Sequence, residues 1–453
     1  MMLKISIYCA GNFITTNRKI DVINPFTGKP FASTFLAGND ELEQAIRAGL
    51  AVQEEMRKLP SFRKYEILMH IAGKLRDMKE EFAEVLCLES AKPIRYAKGE
   101  IDRAIQTFTV AAEETKRLPA EYMSLDWTAA GENKEGIVKY FPVGLVAGIS
   151  PFNFPMNLAV HKIAPAIASG CPIVLKPATK TPLSTLKLAE IIDESGLPEG
   201  AVSILPMDRT TGIKLVTDER FKLLTFTGSP EVGWQMKSQA GKKKVVLELG
   251  GNAGVIITET ADLEKAADKC LVGGYAYSGQ VCIHVQRIYV ADAVFNEFVE
   301  RYVRKVEQLK KGDPLDPETD VSSMIDEDNA KRVKDWIGEA IEGGAKLLSG
   351  GAVKDAFVSP TILTQTQKEM NVCAKEIFGP VTVIEKYTTF ESAVDAVNDS
   401  DYGLQAGVFT NRIDEMNKAF DTIEAGGVTI NDVPTFRVDH MPYGGVKNSG
   451  LES

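Results

Sequence analysis

The alternation of short apolar runs with helical segments between Gly144 and Leu249 limits the fold more than any other feature. Runs at Gly144–Ile149, Pro172–Leu175, Val202–Leu205, Leu223–Phe226 and Val245–Leu249 are separated by helical stretches near 159–169, 184–194, 211–217 and 230–240. A repeated strand–helix unit implies a parallel sheet with right-handed crossovers and helices on both faces. In such sheets ligands bind beyond the carboxyl ends of the strands. Those ends carry Ser150-Pro151-Phe152-Asn153, Lys176-Pro177, Thr227-Gly228-Ser229 and Glu248. Each has a plain alternative: Ser229 as a helix N-cap, Lys176 as a solvated flank. Their shared placement at strand ends is what favours a polar ligand.

The alternation resumes after Gly250-Gly251, with strands predicted near 254–258, 287–290, 345–348, 381–387, 406–410 and 427–431 and helices from Ala261 and over Phe295–Leu309. This is a second α/β domain. Upstream, residues 1–38 read as a ribbon turning at Asn24-Pro25-Phe26-Thr27-Gly28, and 39–118 as helices with Asp40 and Ser61 as caps and Pro93 as an interruption. Residues 121–141 are polar and aperiodic, as a protruding hairpin or a solvated loop would be.

A chain of 453 residues and 44% hydrophobic content buries a large core, and its formal charge of -10 argues against a nucleic-acid surface. The six cysteines are far apart without Cys-x-x-Cys spacing, which fits a reducing cytoplasm. No signal-peptide pattern or long apolar span is evident, and the four histidines lack ligand spacing, so no metal site is expected.

Among the cysteines, Cys282 stands out. A free Cys is commonly a small buried hydrophobe, but Gly279-Gln280 immediately before it suggests a bend that exposes the thiol. The thiolate is the nucleophile, so it needs a base or a lowered pKa. Glu248 is the candidate base, and Asn153, in the Pro151–Pro155 bend, is a candidate donor for the oxyanion that attack on a carbonyl creates. Gly-x-Gly-x-x-Gly is absent. Thr227-Gly228-Ser229 can still hold a phosphate, because the following helix presents free N–H groups at its positive end.

Seven segments in order, Ser150–Pro155, Leu175–Ala178, Phe226–Ser229, Leu247–Asn252, Gly279–Cys282, Glu376–Pro380 and Pro442–Lys447, resemble the signature set of the aldehyde dehydrogenase superfamily. Asn157–Lys162 and Thr435–His440 look closest to the branch holding archaeal lactaldehyde dehydrogenase. The resemblance implies a Rossmann-type cofactor domain (1–120 and 144–251), an α/β catalytic domain (252–430) and an oligomerisation arm (121–143 and 431–453). It implies NAD(P)-dependent oxidation of an aldehyde through a thiohemiacetal and thioester on Cys282. Asn153 and the Cys282 amide would hold the oxyanion, and Glu248 would activate water. Ser150, Pro151, Phe152, Lys176, Thr179, Thr227, Gly228, Ser229, Leu249, Gly250, Glu376 and Phe378 would line the cofactor site. Lys176 would bind the adenosine ribose, Ser229 the pyrophosphate and Glu376 the nicotinamide ribose.

Thr179 stands where many NAD-specific relatives carry an acidic residue, which leaves NAD and NADP both open, with Lys180 a conceivable helper. His161, Phe436, Arg437 and His440 are candidate substrate contacts, the expected substrate being a small hydroxyaldehyde or semialdehyde. A homodimer or homotetramer is expected. The family pattern continues past Ser449-Gly450-Leu451 whereas this sequence stops at Ser453, so a shortened C-terminal part of the arm is also expected. The alternatives are a CoA-acylating enzyme, disfavoured by Glu248, a non-catalytic homologue, and a cysteine hydrolase, for which no histidine is placed by motif.

Overall fold

The computed structural model describes residues 3–451. Five parallel strands, β1 (Val146–Ile149), β2 (Ile173–Lys176), β3 (Val202–Ile204), β4 (Leu223–Thr227) and β5 (Lys244–Glu248), lie in the order β3-β2-β1-β4-β5. The chain therefore starts at the centre, adds two strands on one side and then two on the other. The reversal puts a crevice outside the carboxyl ends of β1 and β4, where neighbouring loops part in opposite directions. Register aligns the strand ends: Ile149 is opposite both Lys176 and Phe226, and Thr227 is opposite Glu248. Antiparallel strands Ile7–Cys9 and Asn12–Ile14 extend the β3 edge.

Three strands of the predicted N-terminal ribbon, Leu3–Lys4, Lys19–Asn24 and Lys29–Phe35, form a separate small sheet. The helices that follow differ from expectation by one or two residues at their starts. Gly38, not Asp40, is the N-cap of Asn39–Lys58, its N–H donating to the Glu41 carboxylate at 2.6 Å. Pro60 caps Ser61–Asp77, so Ser61 is the first helical residue. The helix α1 (Ile94–Glu114) starts directly after Pro93, whose ring suits that position. It packs against α2 (Pro155–Ser169), which follows β1.

A second sheet of seven strands has β6 (Ala253–Ile257) and β7 (Val285–Ala291) at its centre. Residues 249–252 connect the carboxyl end of β5 to the amino end of β6, and Cys282 lies just before β7, whose Val285 is paired with Ala253. The two sheets thus meet end to end, strand ends of the first facing strand starts of the second. Each has its own buried apolar cluster, one around Leu175, Leu224 and Ile163, the other around Val255, Ile288 and Tyr302.

Residues 120–139 form the expected hairpin, Ala120–Ser124 paired antiparallel with Glu135–Lys139 and with no strand of either large sheet. Residues 431–451, expected in the arm together with the hairpin, also make pairings within the chain. Val446–Lys447 pairs with Tyr402–Gly403, and Gly450–Leu451 adds antiparallel to β5 with Gly450 opposite Glu248. Within the chain Gly450–Leu451 covers the carboxyl end of the β5 edge, whose backbone groups need partners. No helix among the described residues is long and apolar enough to cross a membrane.

Candidate active site

The bend before Cys282 is made by three consecutive left-handed residues, Tyr277 (φ 50°), Ser278 (φ 53°) and Gly279 (φ 68°). Non-glycine residues in this region are strained and persist only where surroundings over-determine them. Here they do. Ser278 Oγ donates to the Ser322 carbonyl at 2.7 Å, and the Ile325 N–H donates to Gln280 Oε1 at 2.9 Å. A Cβ on Gly279 would stand 2.1 Å from the Gly379 carbonyl oxygen, so this turn accepts only glycine. Gly251 approaches as closely: its Cβ would stand 2.3 Å from the Cys282 carbonyl oxygen, and that contact joins the Glu248 connection to the nucleophile turn.

Asn153, 3% exposed, donates from Nδ2 to the Gln280 carbonyl at 2.9 Å. A carboxamide has a second N–H, and the Cys282 N–H has no partner among the described backbone hydrogen bonds. One N–H of Asn153 and the Cys282 N–H are therefore without a partner among the described hydrogen bonds. Glu248, half-buried at the end of β5, accepts a long hydrogen bond from Thr227 Oγ1 at 3.5 Å. Thr227 in turn accepts from Lys162 Nζ at 2.7 Å. Burial pushes the Lys162 ammonium down to about 8 against the pull of Glu248, leaving it able to exchange a proton near neutral pH.

Burial pushes the Cys282 thiol up to about 11. The Tyr443 hydroxyl, 3.4 Å from Sγ, works against that shift, as does the Arg437 charge, while Glu376 and Glu248 reinforce it. The Arg437 guanidinium lies 3.8 Å from the centre of the Tyr443 ring and 3.5 Å from His161 Nδ1. His161 Nε2 is 3.2 Å from Asp439, which Arg103 approaches at 3.5 Å. Burial holds His161 below its ordinary value against the pull of Asp439. Arg103 Nε and Nη2 and Arg437 Nε are buried without a hydrogen-bond acceptor. Arg103 Nη2 faces the Asp439 carboxylate, but the two Nε–H groups have no acceptor, which is costly in a dry pocket, and an anionic ligand would satisfy them.

His440 and Phe436 are exposed, and Phe436 lines a separate surface cavity with Val272, Thr435 and Asp262. Neither joins the cluster. His284 is buried, its Nε2 2.9 Å from the Gly274 carbonyl, and burial pushes it down to about 4, so it is a neutral packing residue. Among the described residues no group of three or more His, Cys, Asp or Glu is disposed to hold a metal ion.

Ser150, Pro151 and Phe152 leave β1 into the crevice, with the Ser150 hydroxyl buried and unpartnered. The Phe152 and Phe378 rings meet edge to face at 5.9 Å. Ser229 N-caps α3 (Pro230–Gln239) without a side-chain hydrogen bond, so with Gly228 before it the helix start is open. Lys176 is partly buried, which pushes its ammonium down, with Asp208 opposing. Leu249 is buried and packs on Gly233 of α3. Glu376 lies against Gly250 and accepts the Gly251 N–H at 2.9 Å, and burial pushes its carboxyl up to about 7. Thr179 is exposed at the rim, and Lys180 is paired with Asp326. An orphaned hydroxyl, an open helix start and a buried ammonium on adjacent strand ends fit a dinucleotide.

A model of the aldehyde dehydrogenase family matches residues 13–453. The chain belongs to the aldehyde dehydrogenase family. It is an enzyme of that class, and NAD or NADP is its cofactor. It is 44% identical over 445 residues to a 3-sulfolactaldehyde dehydrogenase of Priestia megaterium, covering 98% of this chain and 93% of that one. It is 40% identical over 444 residues to a lactaldehyde dehydrogenase of Methanococcus aeolicus, covering 96% and 93%. Aldehyde dehydrogenase 21 of Physcomitrella patens, solved with the reaction product succinate, superposes with a TM-score of 0.98 at 44% identity over 100% of this chain and 94% of that one. Glyceraldehyde-3-phosphate dehydrogenase of Methanocaldococcus jannaschii, solved with NADP, gives 0.90 at 38% over 96% and 95%.

Reading the sequence alone misses Arg103, Lys92 and Lys162. Arg103 had a signal: Glu100, Arg103 and Thr107 form a polar stripe at helical spacing among the apolar positions of α1. Lys92 had none. Its ammonium, fully buried, is paired with Glu100, donates to the Asn153 carbonyl at 2.8 Å, and sits 3.8 Å from the Phe154 ring centre and 4.4 Å from that of Tyr277. One cation thus holds both the oxyanion-donor bend and the nucleophile turn. Lys92→Met leaves Glu100 buried and unpaired, and is expected to cost about 3–5 kcal/mol in urea unfolding. Lys92→Met with Glu100→Gln is expected to recover part of that loss; a single variant as stable as the parent would contradict the role.

Proposed function

We propose that this chain oxidises a short aldehyde bearing an anionic group at its far end, a semialdehyde or a hydroxyaldehyde with an acidic group, to the carboxylate. The observation that carries the substrate class is the acceptor-less Nε of Arg437, whose charge acts on Cys282, and that of Arg103, which reaches the same cluster through Asp439 and His161. The names of the relatives point the same way: a sulfonated aldehyde for one, succinate as the product of another. A hydroxyl on the substrate would face His161 and Asn157, which lie 3.3 Å apart.

In this reading the Cys282 thiolate adds to the aldehyde carbon. The second N–H of Asn153 and the Cys282 amide receive the negative charge that develops on oxygen. NAD(P), when bound, supplies the acceptor for the hydride that leaves the tetrahedral carbon. Lys176 would hold the adenosine ribose, Ser229 and the start of α3 the pyrophosphate, and Glu376 the nicotinamide ribose, with Ser150, Phe152, Leu249 and Phe378 forming the walls. Glu248 then takes a proton from water as it adds to the thioester, and Thr227 and Lys162 offer that proton a way out. The carbon–sulfur bond breaks, releasing the acid and regenerating the thiolate. Glu248 at the end of β5, linked to Thr227 and Lys162, supports water over CoA as the second nucleophile.

Residues 1–120 with 144–251 are proposed as the cofactor domain and 252–430 as the catalytic domain. The hairpin exposes Trp127 by 91%, Ile137 by 69% and Phe141 by 69%, an apolar surface large enough to need a partner. A second copy of the chain is the proposed one. Sedimentation equilibrium should give a dimer or tetramer, and Ile137→Lys should shift it toward monomer.

Aldehyde-dependent reduction of NAD or NADP should vanish in Cys282→Ala. Glu248→Gln should give a burst of about one reduced cofactor per chain followed by a steady state slower by about 100-fold, since acylation survives and base catalysis does not. Absence of the burst, or steady turnover that requires CoA, would sink the hydrolytic reading. Arg103→Ala should raise KM for succinic semialdehyde by about tenfold or more while leaving propanal oxidation nearly unchanged. Equal effects on both aldehydes would remove the anionic-substrate assignment.

A further inference from the structure

The Tyr443 hydroxyl is the one protein group within hydrogen-bonding distance of Cys282 Sγ among the described residues, at 3.4 Å, and the cofactor and oxyanion assignments do not use it. The charged groups acting on the thiol are Glu376, Glu248 and Arg437. Those acting on the phenol are Cys282 itself, Glu248 and Arg437. Two carboxylates in a buried site oppose ionisation of the sulfur. The neutral His161 and the packing residue His284 supply no imidazolium to offset them. The groups that favour the thiolate are the Arg437 charge and the Tyr443 hydroxyl, and only the hydroxyl touches the sulfur.

We propose that Tyr443 is a catalytic residue whose hydroxyl donates a hydrogen bond to the Cys282 thiolate, both when the sulfur attacks and when it leaves. This rests on the assignment of Cys282 as the nucleophile. With a neutral thiol either atom can donate, but a thiolate only accepts, so ionisation fixes Tyr443 as the donor. Arg437 stacks its guanidinium 3.8 Å from the ring centre, where a cation withdraws electron density and strengthens the O–H as a donor. During attack the sulfur lone pair forms the S–C bond and the carbonyl π pair moves to oxygen, while the Tyr443 proton stays on its own oxygen. A sulfur bonded to two carbons is a weak acceptor, so the hydrogen bond relaxes in the adduct. In hydrolysis water adds, losing its proton to Glu248. The S–C pair departs with sulfur, and Tyr443 again donates to the thiolate being released.

Tyr443→Phe deletes one oxygen and leaves the ring beneath Arg437. Thiolate formation can be followed by ultraviolet absorbance as the difference between each protein and its Cys282→Ser counterpart, titrated from neutral to alkaline pH. The expected result is a titration displaced upward by about one pH unit, with alkylation of Cys282 at neutral pH about tenfold slower. Arg437→Met, which keeps the phenol, should displace the titration in the same direction. Superimposable titrations for Tyr443→Phe and the parent, or a displacement to lower pH, would overturn the proposal. The nucleophile assignment fails separately: aldehyde oxidation surviving in Cys282→Ser would remove both, whereas lost turnover there with an unmoved Tyr443→Phe titration removes only the role of Tyr443.

Discussion

A buried ammonium is tolerated only with a full set of partners, and around Lys92 that requirement organises the centre of this enzyme. Glu100 neutralises it, the Asn153 carbonyl accepts from it, and two aromatic rings cover the rest. Glu100 also accepts the N–H groups of Met156 and Asn157, both at 3.0 Å, and so caps the start of α2. The helix after the first crevice strand, the oxyanion-donor bend and the turn before the nucleophile are therefore tied to one charge pair. Moving any one of them would expose an unpaired charge to an apolar interior.

The second constraint is the way the sheets join. Glu248 ends the outermost parallel strand of the first sheet, and after four intervening residues the chain begins a central strand of the second. The start of the neighbouring strand brings Cys282 to the same junction. Glu248 and Cys282, the proposed base and nucleophile, come to one junction because one sheet's strand ends oppose the other's strand starts. The cofactor crevice lies on the same side, so the geometry that serves binding also serves chemistry. Dry surroundings strengthen every electrostatic contact there, and they also oppose the thiolate that the chemistry needs. The groups around Cys282 settle that conflict.

Much of this was legible beforehand because parallel strands buried on both faces leave short apolar runs, and their ends leave polar clusters at fixed offsets. Ser150, Lys176, Thr227 and Glu248 fall at aligned strand ends as the alternation required. Helix starts were less legible: Gly38 and Pro60 stand where Asp40 and Ser61 had better side chains for the task. Residues 431–451 were read as part of an arm because nothing local shows that Gly450–Leu451 returns to the edge of β5. Phe436 and His440 looked like equal companions of Arg437, yet a loop places neighbouring side chains on different sides, and only Arg437 turns toward the thiol.

By itself the sequence determined the two α/β units, the family and the candidates for nucleophile, base and donor, because each rests on local periodicity or a contiguous motif. Only the tertiary structure decided that Lys92 anchors the site, that Arg103 from a distant helix joins Arg437, and that Tyr443 touches the sulfur. Those contacts span long stretches of chain and follow from packing and charge compensation in three dimensions, which leave no periodic trace in one.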